Sequence, residues 1–285
     1  MSVPVIEEEL KSFLEKVSNG EPVDLPDQVV EEFGEQLKQA VIKQFTPRDP
    51  EFKLRPSNLG RPLCVLQREK ESTQAPPMPY NHVIRMLMGD CVEAIMRLLL
   101  STAGVNVTSD GDRVEMDISG VTITGESDID IDGKVYDIKS CSPWAFKNKW
   151  SEGYQGLKAD DAFGYVGQLY AYADAQKKKP GGWIVVDKSS GELMVVEVDD
   201  TSVEASDIRG DRKRKVGAIK NNAPFRRGFE PHDEFFRKKP TGDQILHKTC
   251  GFCSFKKECW PQAVYRPSKM SSPDAKKPTH KWFTE

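Results

Sequence analysis

An Asp-Gly pair at Asp132 and Gly133 restricts the fold of this chain more than any other feature of its sequence. Alternating apolar and polar residues flank the pair on both sides. This combination is a strong signal for a β-hairpin with a two-residue turn. If the turn closes there, Ile131 pairs with Lys134, and each further step outward pairs the next residue of one strand with the next residue of the other.

Strand alternation divides the hairpin side chains between two faces. The apolar face, which is expected to pack on the core, carries Ile129, Ile131, Tyr136 and Ile138. The polar face carries Asp128, Asp130, Asp137 and Lys139. The same register places Asp128 directly opposite Asp137, and Glu126 opposite Lys139. The pattern predicts either a solvated acidic surface with Lys139 as a salt-bridge partner, or a site that holds a cation between two carboxylates.

A magnesium ion prefers hard oxygen ligands and keeps several waters, so Asp128 and Asp137 would be sufficient protein ligands. Lys139 lies two residues after Asp137 and therefore points to the same side of the strand. A lysine in that place can orient or deprotonate an attacking water, or offset the charge of a phosphate group. The hairpin alone leaves the solvated surface and the metal site equally open.

Three polar side chains outside the hairpin add to this pattern. The segment 80–100 has the apolar spacing of a helix, and Glu93 lies at the edge of its apolar stripe. On a second predicted helix, 160–176, Gln168 and Tyr172 are four residues apart and therefore share a face.

The order of these motifs resembles the RecB-like branch of the PD-(D/E)XK nucleases. The matching elements are Gly-x-x-x-Glu93 on a helix, Gly-x-x-Asp128 on a strand, Asp137-Ile-Lys139 on the next strand and Gln168-x-x-x-Tyr172 on a helix. Ser127 stands in place of the proline of the motif, and Glu93 stands where many RecB-like members have histidine.

The resemblance implies a metal-dependent deoxyribonuclease that uses Mg²⁺ or Mn²⁺. The metal ligands it implies are Asp128, Asp137, the carbonyl group of Ile138 and, as an outer ligand, Glu93. The catalytic lysine it implies is Lys139, with Gln168 and Tyr172 supporting the site and the DNA backbone. Relatives with these motifs are mostly exonucleases that act at DNA ends, often on single strands.

Six cysteines in a chain without a predicted secretory signal indicate metal ligands or buried thiols rather than disulfides. Cys250, Cys253 and Cys259 form a compact triplet, and a Cys-x-x-Cys pair can offer two thiolates to one metal centre. Cys64 is the best candidate for a fourth ligand, and it would join the start of the domain to its end. The spacing suits zinc, with His247 as a competing ligand, as well as an iron–sulfur cluster.

The chain has one cysteine before the nuclease motifs and three after them. This arrangement resembles that of the iron–sulfur nuclease module of AddB and of the small CRISPR-associated exonucleases. This resemblance implies a structural [4Fe–4S] cluster bound by the four cysteines, with zinc as the alternative. Cys91 and Cys141 remain, and both are expected to be small buried hydrophobic side chains.

The net charge of −3 at pH 7 excludes a generally basic nucleic-acid coat protein, so phosphate contacts must come from local patches. Candidate patches, which could equally be solvated helix faces, are Arg212-Lys-Arg-Lys215, Arg226-Arg227 and Arg237-Lys-Lys239. Residues 1–10 lack the basic stretch of a secretory signal, and no apolar segment is long enough to cross a bilayer. We therefore expect a cytoplasmic protein, or one in the host cytoplasm if the chain is phage-encoded.

The order of predicted elements indicates an α/β fold, with a mixed central β-sheet flanked by helices as in restriction-endonuclease-like cores. We expect an N-terminal helical appendage at 1–54, a nuclease domain with the iron–sulfur cluster at 55–262 and a mobile polar tail at 263–285. The predicted helices are 5–17, 27–45, 80–100, 160–176 and 202–220. The predicted strands are 113–118, 121–131, 134–140, 182–187 and 192–198.

The expected function is hydrolysis of phosphodiester bonds from DNA ends in recombination, repair or phage DNA processing, with recombination or helicase proteins as partners. Three alternatives stay open: a CRISPR-type spacer-processing nuclease that acts with partners, a catalytically silent DNA-end-binding module, and a zinc-stabilised structural or adaptor protein. No motif indicates an oligomeric state or a base-specific code.

Overall fold

The structure is a computed structural model that describes residues 4–47, 51–72, 80–236, 238–268 and 279–284. The chain forms two compact units: the first contains Met1–Gly60 and Pro77–Gly217, and the second contains Arg61–Pro76 and Ala218–Glu285. This division differs from the predicted boundaries after residues 54 and 262. An early helix belongs with the C-terminal segment because Gln67 Nε2 donates hydrogen bonds to the carbonyl groups of Ala223 and Pro224.

In chain order the helices are α1 Val5–Ser18, α2 Asp27–Phe45, α3 Pro56–Leu59, α4 Leu63–Glu71, α5 Tyr80–Thr102, α6 Pro143–Asn148, α7 Gly153–Ala159, α8 Tyr165–Gln176, α9 Ser202–Lys220, α10 Lys248–Phe252 and α11 Lys256–Cys259. Four predicted helices match α1, α2, α5 and α9 nearly residue for residue. Helix α8 begins later than predicted because the Asp161 carboxylate accepts hydrogen bonds from the N–H groups of Gly164, Tyr165 and Val166. Within the described ranges, every helix is too short or too polar to span a bilayer.

The strands are β1 Val107–Asp110, β2 Arg113–Asp117, β3 Thr122–Glu126, β4 Ile129–Ile131, β5 Lys134–Cys141, β6 Lys179–Asp187, β7 Leu193–Glu197, β8 His232–Phe236, β9 Lys239–Ile245, β10 Val264–Pro267 and β11 His280–Thr284. The first unit holds a five-stranded sheet in the order β1-β4-β5-β6-β7 and a two-stranded sheet, β2-β3. In the larger sheet β5 and β6 are parallel and the other neighbours are antiparallel. The second unit holds a four-stranded antiparallel sheet in the order β10-β11-β9-β8.

The central hairpin has the predicted register. Ile131 pairs with Lys134 and Ile129 pairs with Tyr136. The two turn residues both have positive φ, as the tight hairpin turn requires. The predicted apolar face packs with α1 and α5 in one buried cluster that includes Ile6, Leu10, Met96, Leu100, Ile129, Ile131, Tyr136 and Ile138. The predicted fold class is confirmed: the structure is α/β, with a mixed sheet flanked by helices.

The long strand predicted before the turn is divided into β3 and β4, and the predicted pairing of Glu126 with Lys139 is wrong. Glu126 instead pairs with Arg113 in the separate β2-β3 sheet. The N–H group of Ser127 donates to the carbonyl group of Asp112 and so leaves the register of the larger sheet. Residues up to 126 therefore belong to a different sheet from the hairpin that follows them.

The polar face of the hairpin is buried and not solvated. Helix α8 packs over this face with apolar side chains such as Leu169, and Trp183 of the neighbouring strand β6 lies beside Asp137 in the sheet. Asp130 has no exposed surface and forms an ion pair with Lys178. A buried carboxylate is costly unless it has a partner, so the acidic residues of this face serve a structural or chemical role.

Helix α1 is part of the core and not of an appendage, which corrects the prediction for residues 1–54. Its Leu10 is fully buried in the same cluster as Leu100 of α5. A carboxylate oxygen of Glu7 accepts a hydrogen bond from the backbone N–H group of Val195 at 2.8 Å. Because β7 is the last strand of its sheet, this bond satisfies a donor that the sheet itself leaves unpaired.

The end of the chain forms strands where the sequence predicts a mobile tail at 263–285. Phe283 in β11 is fully buried and pairs with Val264 of β10 and Ile245 of β9. Two adjacent aromatic residues, Trp282 and Phe283, thus supply apolar surface within a segment that is otherwise polar. Residues 269–278 and 285 of the predicted tail lie outside the described residues.

The backbones of Gly60, after α3, and Gly164, before α8, are in close contact. This contact leads to a prediction about stability. A Cβ atom on Gly60 would lie 1.8 Å from the carbonyl oxygen of Gly164 and 2.6 Å from its carbonyl carbon. These are backbone atoms, which cannot rotate away. We expect Gly60→Ala to lower the free energy of unfolding by about 1–3 kcal/mol, the usual cost of overpacking.

Thermal denaturation checks this prediction, with a melting temperature lower by about 2–12 °C. Gly34→Ala is the matched control. A Cβ at Gly34, on the exposed surface of α2, would meet no atom within 4 Å, so alanine there should stabilise the helix slightly. A Gly60→Ala protein that melts like the parent would contradict the close packing of α3 on α8.

Candidate functional site

Two aspartates and a lysine converge at the hairpin, in the first unit. Asp137 and Lys139 lie on β5, and Asp128 immediately precedes β4. The carboxylate of Asp128 accepts a hydrogen bond from the backbone N–H group of Ile138 at 2.8 Å. This bond holds the Asp128 side chain against β5, while the Ile138 side chain is buried in the core.

Asp137 is the most confined member of the cluster, with 1% of its surface exposed. Its Oδ1 atom accepts a hydrogen bond from Gln168 Nε2 at 3.0 Å. Its Oδ2 atom lies 2.6 Å from Lys139 Nζ, but among the described groups it receives no hydrogen bond of acceptable geometry. A buried carboxylate oxygen without a hydrogen bond is costly and is a natural place for a bound cation.

Glu93 reaches the same cluster from α5. Its carboxylate forms an ion pair with Arg97 at 2.5 Å, one helical turn further along. Burial, followed by the nearby charge of Asp128, raises the pKa of Glu93 to about 7. Three sequence-predicted side chains from α5, β5 and the β3-β4 connection therefore share one electrostatic environment.

The cluster is crowded with negative charge. Burial, together with the opposing effect of Lys139 and the charge of Asp128, leaves the pKa of Asp137 raised to about 8. Burial alone would lower the pKa of Lys139, but Asp137 and Asp128 more than offset this and raise it. The two shifts have different causes: burial raises the pKa of Asp137, whereas the negative charges of Asp137 and Asp128 raise the pKa of Lys139 against the effect of burial.

Gln168 and Tyr172 are both buried on α8; their spacing predicted that they share a face but not that this face is buried. Gln168 contacts the cluster directly through Asp137. Burial, and then the charges of Asp128 and Asp137, raise the pKa of Tyr172. A Cβ on Gly125 would come within 3.3 Å of the Tyr172 ring, so that glycine permits the close approach of β3 to α8.

Tyr165 is a member of this site that the motif analysis missed. Lys139 Nζ lies 5.4 Å from the centroid of its ring, and Lys149 Nζ lies 5.2 Å from the same centroid. The signal was present in the sequence, because Tyr165 precedes Gln168 by three residues and so shares its helix face. An aromatic ring beside an ammonium group stabilises the positive charge.

The four cysteines of the predicted ligand set surround one cavity, in the second unit. Cys64 lies on α4, Cys250 on α10, Cys259 at the end of α11, and Cys253 between those two short helices. All four line a cavity of about 30 Å³. Burial, followed by the neighbouring thiols of Cys253, Cys64 and Cys259, raises the pKa of Cys250 to about 11.

His247 has another role than the one considered from the sequence. Its Nδ1 atom accepts a hydrogen bond from the backbone N–H group of Thr249 and caps α10. Its ring stacks on Phe229 with centroids 4.4 Å apart. The described residues that line the cavity do not include it. Cys91 and Cys141 belong to the first unit, and Cys141 is buried as predicted whereas Cys91 is half-buried.

Neither site is a preformed metal centre in the strict sense. Within the part of the chain that the structure describes, no group of three or more His, Cys, Asp or Glu side chains is close enough to hold one ion directly. The donor chemistry nevertheless fits. The carboxylate cluster offers two hard oxygen donors, Asp128 and Asp137, which is the number Mg²⁺ usually takes from a protein. The cysteine cavity offers four thiols, which suits soft metals.

The basic run 212–215 is mostly a structural feature of the first unit. Arg212 is buried and forms an ion pair with Asp174 at 2.5 Å. Lys215 is buried and lies 2.7 Å from Asp211, which also pairs with Arg214. In the run Arg226-Arg227, Arg227 contacts the Trp260 ring and lines the cysteine cavity. The run 237–239 begins at residue 237, which lies outside the described residues.

Comparisons with known proteins yield one structural neighbour to report. No protein-family model matches the chain, and no curated protein matches it. The crystal structure of SSO0001 is similar to this chain with a TM-score of 0.43 and 14% sequence identity, over 78% of this chain and 92% of that one. A functional proposal for this chain must therefore come from its own side chains.

Proposed function

We propose that this protein is a metal-dependent deoxyribonuclease of the PD-(D/E)XK type. The observation that carries the proposal is the buried Asp137 carboxylate. It lies beside the Asp128 carboxylate, its Oδ1 atom accepts a hydrogen bond from Gln168, and its Oδ2 atom contacts Lys139 Nζ at 2.6 Å. An ion pair that only stabilised the fold would not need a second carboxylate, and Asp128 raises the pKa of Asp137 further by its negative charge.

Mg²⁺ or Mn²⁺ would be held by Asp128 and Asp137, with the Ile138 carbonyl group and Glu93 as the further ligands that the family resemblance implies. When bound, the ion supplies positive charge that stabilises the transition state of phosphodiester hydrolysis. Gln168 holds Asp137 in place through its 3.0 Å hydrogen bond. Tyr172 packs beside the site and supports the DNA backbone.

Lys139 is the residue that acts on the reacting groups. Its ammonium group is held between Asp137 and the Tyr165 ring, so its position is defined before substrate binds. From there it orients the attacking water and donates hydrogen bonds to phosphate oxygens. Water attacks in line at phosphorus, and the phosphodiester bond to the leaving oxygen breaks.

The four cysteines would hold a structural [4Fe–4S] cluster. Four thiolates suit zinc as well as a cluster, and the family resemblance is what favours the cluster. Arg68, Arg227 and Lys256 also line the cavity, and their charges suit a centre made anionic by four thiolates. The cluster would stabilise the second unit and take no part in cleavage.

The substrate class follows from the resemblance and not from the contacts. We propose DNA ends, single-stranded or resected, as the substrate, in recombination, repair or phage DNA processing and in the cytoplasm. Recombination or helicase proteins are the partner class that fits such a role.

Cleavage of end-labelled DNA tests the proposal. We expect linear single-stranded DNA to be shortened with Mg²⁺ or Mn²⁺ and to remain intact in EDTA, because the carboxylates need the ion. Circular single-stranded DNA of the same sequence is the matched substrate, and an exonuclease should leave it whole. Loss of the circle would indicate endonuclease action. No cleavage of either form with any divalent ion would contradict the nuclease and favour a silent DNA-binding module.

A further inference from the structure

One face of the sheet in the second unit carries two adjacent aromatic side chains, of which Tyr265 is exposed and Trp282 is half-buried. Tyr265 of β10 and Trp282 of β11 lie directly opposite each other, with ring centroids 5.2 Å apart. His280 lies two residues from Trp282 on the same face, 5.3 Å from the Tyr265 ring. Tyr265 is 57% exposed, which is more than a cross-strand aromatic pair needs if its role is only to stabilise the sheet.

Both faces of these strands contain packed side chains: Trp282 packs against Leu246, Trp260 and Ala263, and Phe283 lies on the opposite face of β11. Phe283 is fully buried there, and the Arg266 guanidinium covers its ring at 3.6 Å. Lys281 on that side pairs with the buried Glu234 at 3.3 Å. Tyr265 is therefore the exposed ring of its face, next to β11 side chains that are packed on both faces.

Positive charge borders the aromatic face. Lys256 Nζ lies 5.1 Å and Lys257 Nζ 5.4 Å from the centroid of the Trp282 ring. Lys257 is exposed and also donates a hydrogen bond to the carbonyl group of Ala263, which fixes its direction. Flat aromatic surface next to fixed ammonium groups matches the two repeating parts of a nucleic-acid strand, the base and the phosphate.

We propose that this face, formed by Tyr265, Trp282, Lys256 and Lys257, binds single-stranded DNA, with an unpaired base stacked on the Tyr265 ring and phosphates beside the lysines. The choice of DNA rests on the proposed nuclease function. A duplex hides the faces of its bases, so an exposed ring would gain nothing from it. An acidic peptide would use the lysines but not the ring.

Fluorescence anisotropy of a short labelled oligothymidylate, measured on the full chain in EDTA so that no cleavage occurs, tests this binding. We expect Tyr265→Ala to weaken binding by on the order of 5- to 100-fold, the effect of losing one stacked base. Tyr265→Phe, which keeps the ring, should bind like the parent. Lys257→Gln should lower the slope of log affinity against log salt by about 0.7, the value for one phosphate contact on a single strand.

Val264→Ala is the matched control, because Val264 is on the same strand but on the opposite face. Equal affinity of Tyr265→Ala and Val264→Ala would overturn the proposal, and continued cleavage by the parent would leave the nuclease intact. Displacement of the oligonucleotide by polyglutamate of equal charge would also overturn it, since that would indicate a general acceptor of acidic partners. A melting curve of each variant separates lost binding from lost folding.

Discussion

The Lys139→Ala variant should lose cleavage by about 10²- to 10⁴-fold, the usual contribution of a positioned group that acts on the water or the proton in the transition state. Lys139 Nζ lies 2.6 Å from Asp137 and is the cation closest to that carboxylate in the described structure. Its removal leaves the two aspartates and any bound ion in place but takes away the group that orients the water. Binding of DNA in EDTA should stay near the parent value, because the surfaces that contact the rest of the strand are unchanged.

Lys134→Ala is the control for this variant. Lys134 lies on the same strand, β5, but at its exposed beginning next to the turn. The Lys134→Ala variant should cleave DNA at the parent rate. The rate of single-turnover cleavage at saturating Mg²⁺ is measured for both variants and for the parent. Full activity of Lys139→Ala would remove the lysine from the mechanism. Inactivity caused by unfolding would appear as an early thermal transition, because loss of one partner from a buried ion pair is destabilising.

The Cys253→Ala variant should give a colourless protein of much lower stability. Cys253 lies between α10 and α11, and its thiol lines the cavity together with those of Cys64, Cys250 and Cys259. A cluster bound there ties α4 to the C-terminal segment across most of the chain length. Loss of a cross-link over such a long loop costs roughly 4 kcal/mol. Iron content, the visible spectrum and thermal denaturation measure the two effects.

Cys91→Ala is the matched control, since Cys91 lies on α5 in the first unit. It should keep both the iron and the stability of the parent. An unchanged spectrum and melting temperature in Cys253→Ala would contradict the four-cysteine site. If the parent protein is colourless and contains zinc, the four cysteines remain the ligands, and the bound group is a zinc ion instead of a cluster. Because cleavage is assayed separately, failure of the cluster proposal leaves the nuclease proposal standing.

The hairpin register could be predicted because all of its determinants are local. The positive φ values of Asp132 and Gly133 and the alternation around them follow from neighbouring residues alone. The proximity of Asp128 to Asp137 follows from the same register. Helical spacing likewise indicated that Gln168 and Tyr172 share a face, but not that this face is buried or that the Gln168 amide contacts Asp137.

The long-range errors have a common cause. Periodicity shows which residues share a face but not which element covers that face. Helix α1 was expected to be an appendage. Its apolar spacing shows that one face is buried, but it does not show that this face packs against Leu100. The strand predicted for residues 121–131 is two strands in the structure, because Glu126 pairs with Arg113 in a second sheet.

The sequence by itself therefore determined the fold class, the hairpin, and which residue types stand at which spacing. Tertiary structure alone decided that the acidic face is buried under α8, that Tyr165 lies beside Lys139, and that the four cysteine thiols line one cavity. The physical reason is that turn conformation and the alternation of side chains depend on near neighbours in the chain, whereas burial depends on segments far apart in it. The proposed chemistry depends on this burial, because it places the Asp137 carboxylate beside Lys139 and Gln168 and raises its pKa.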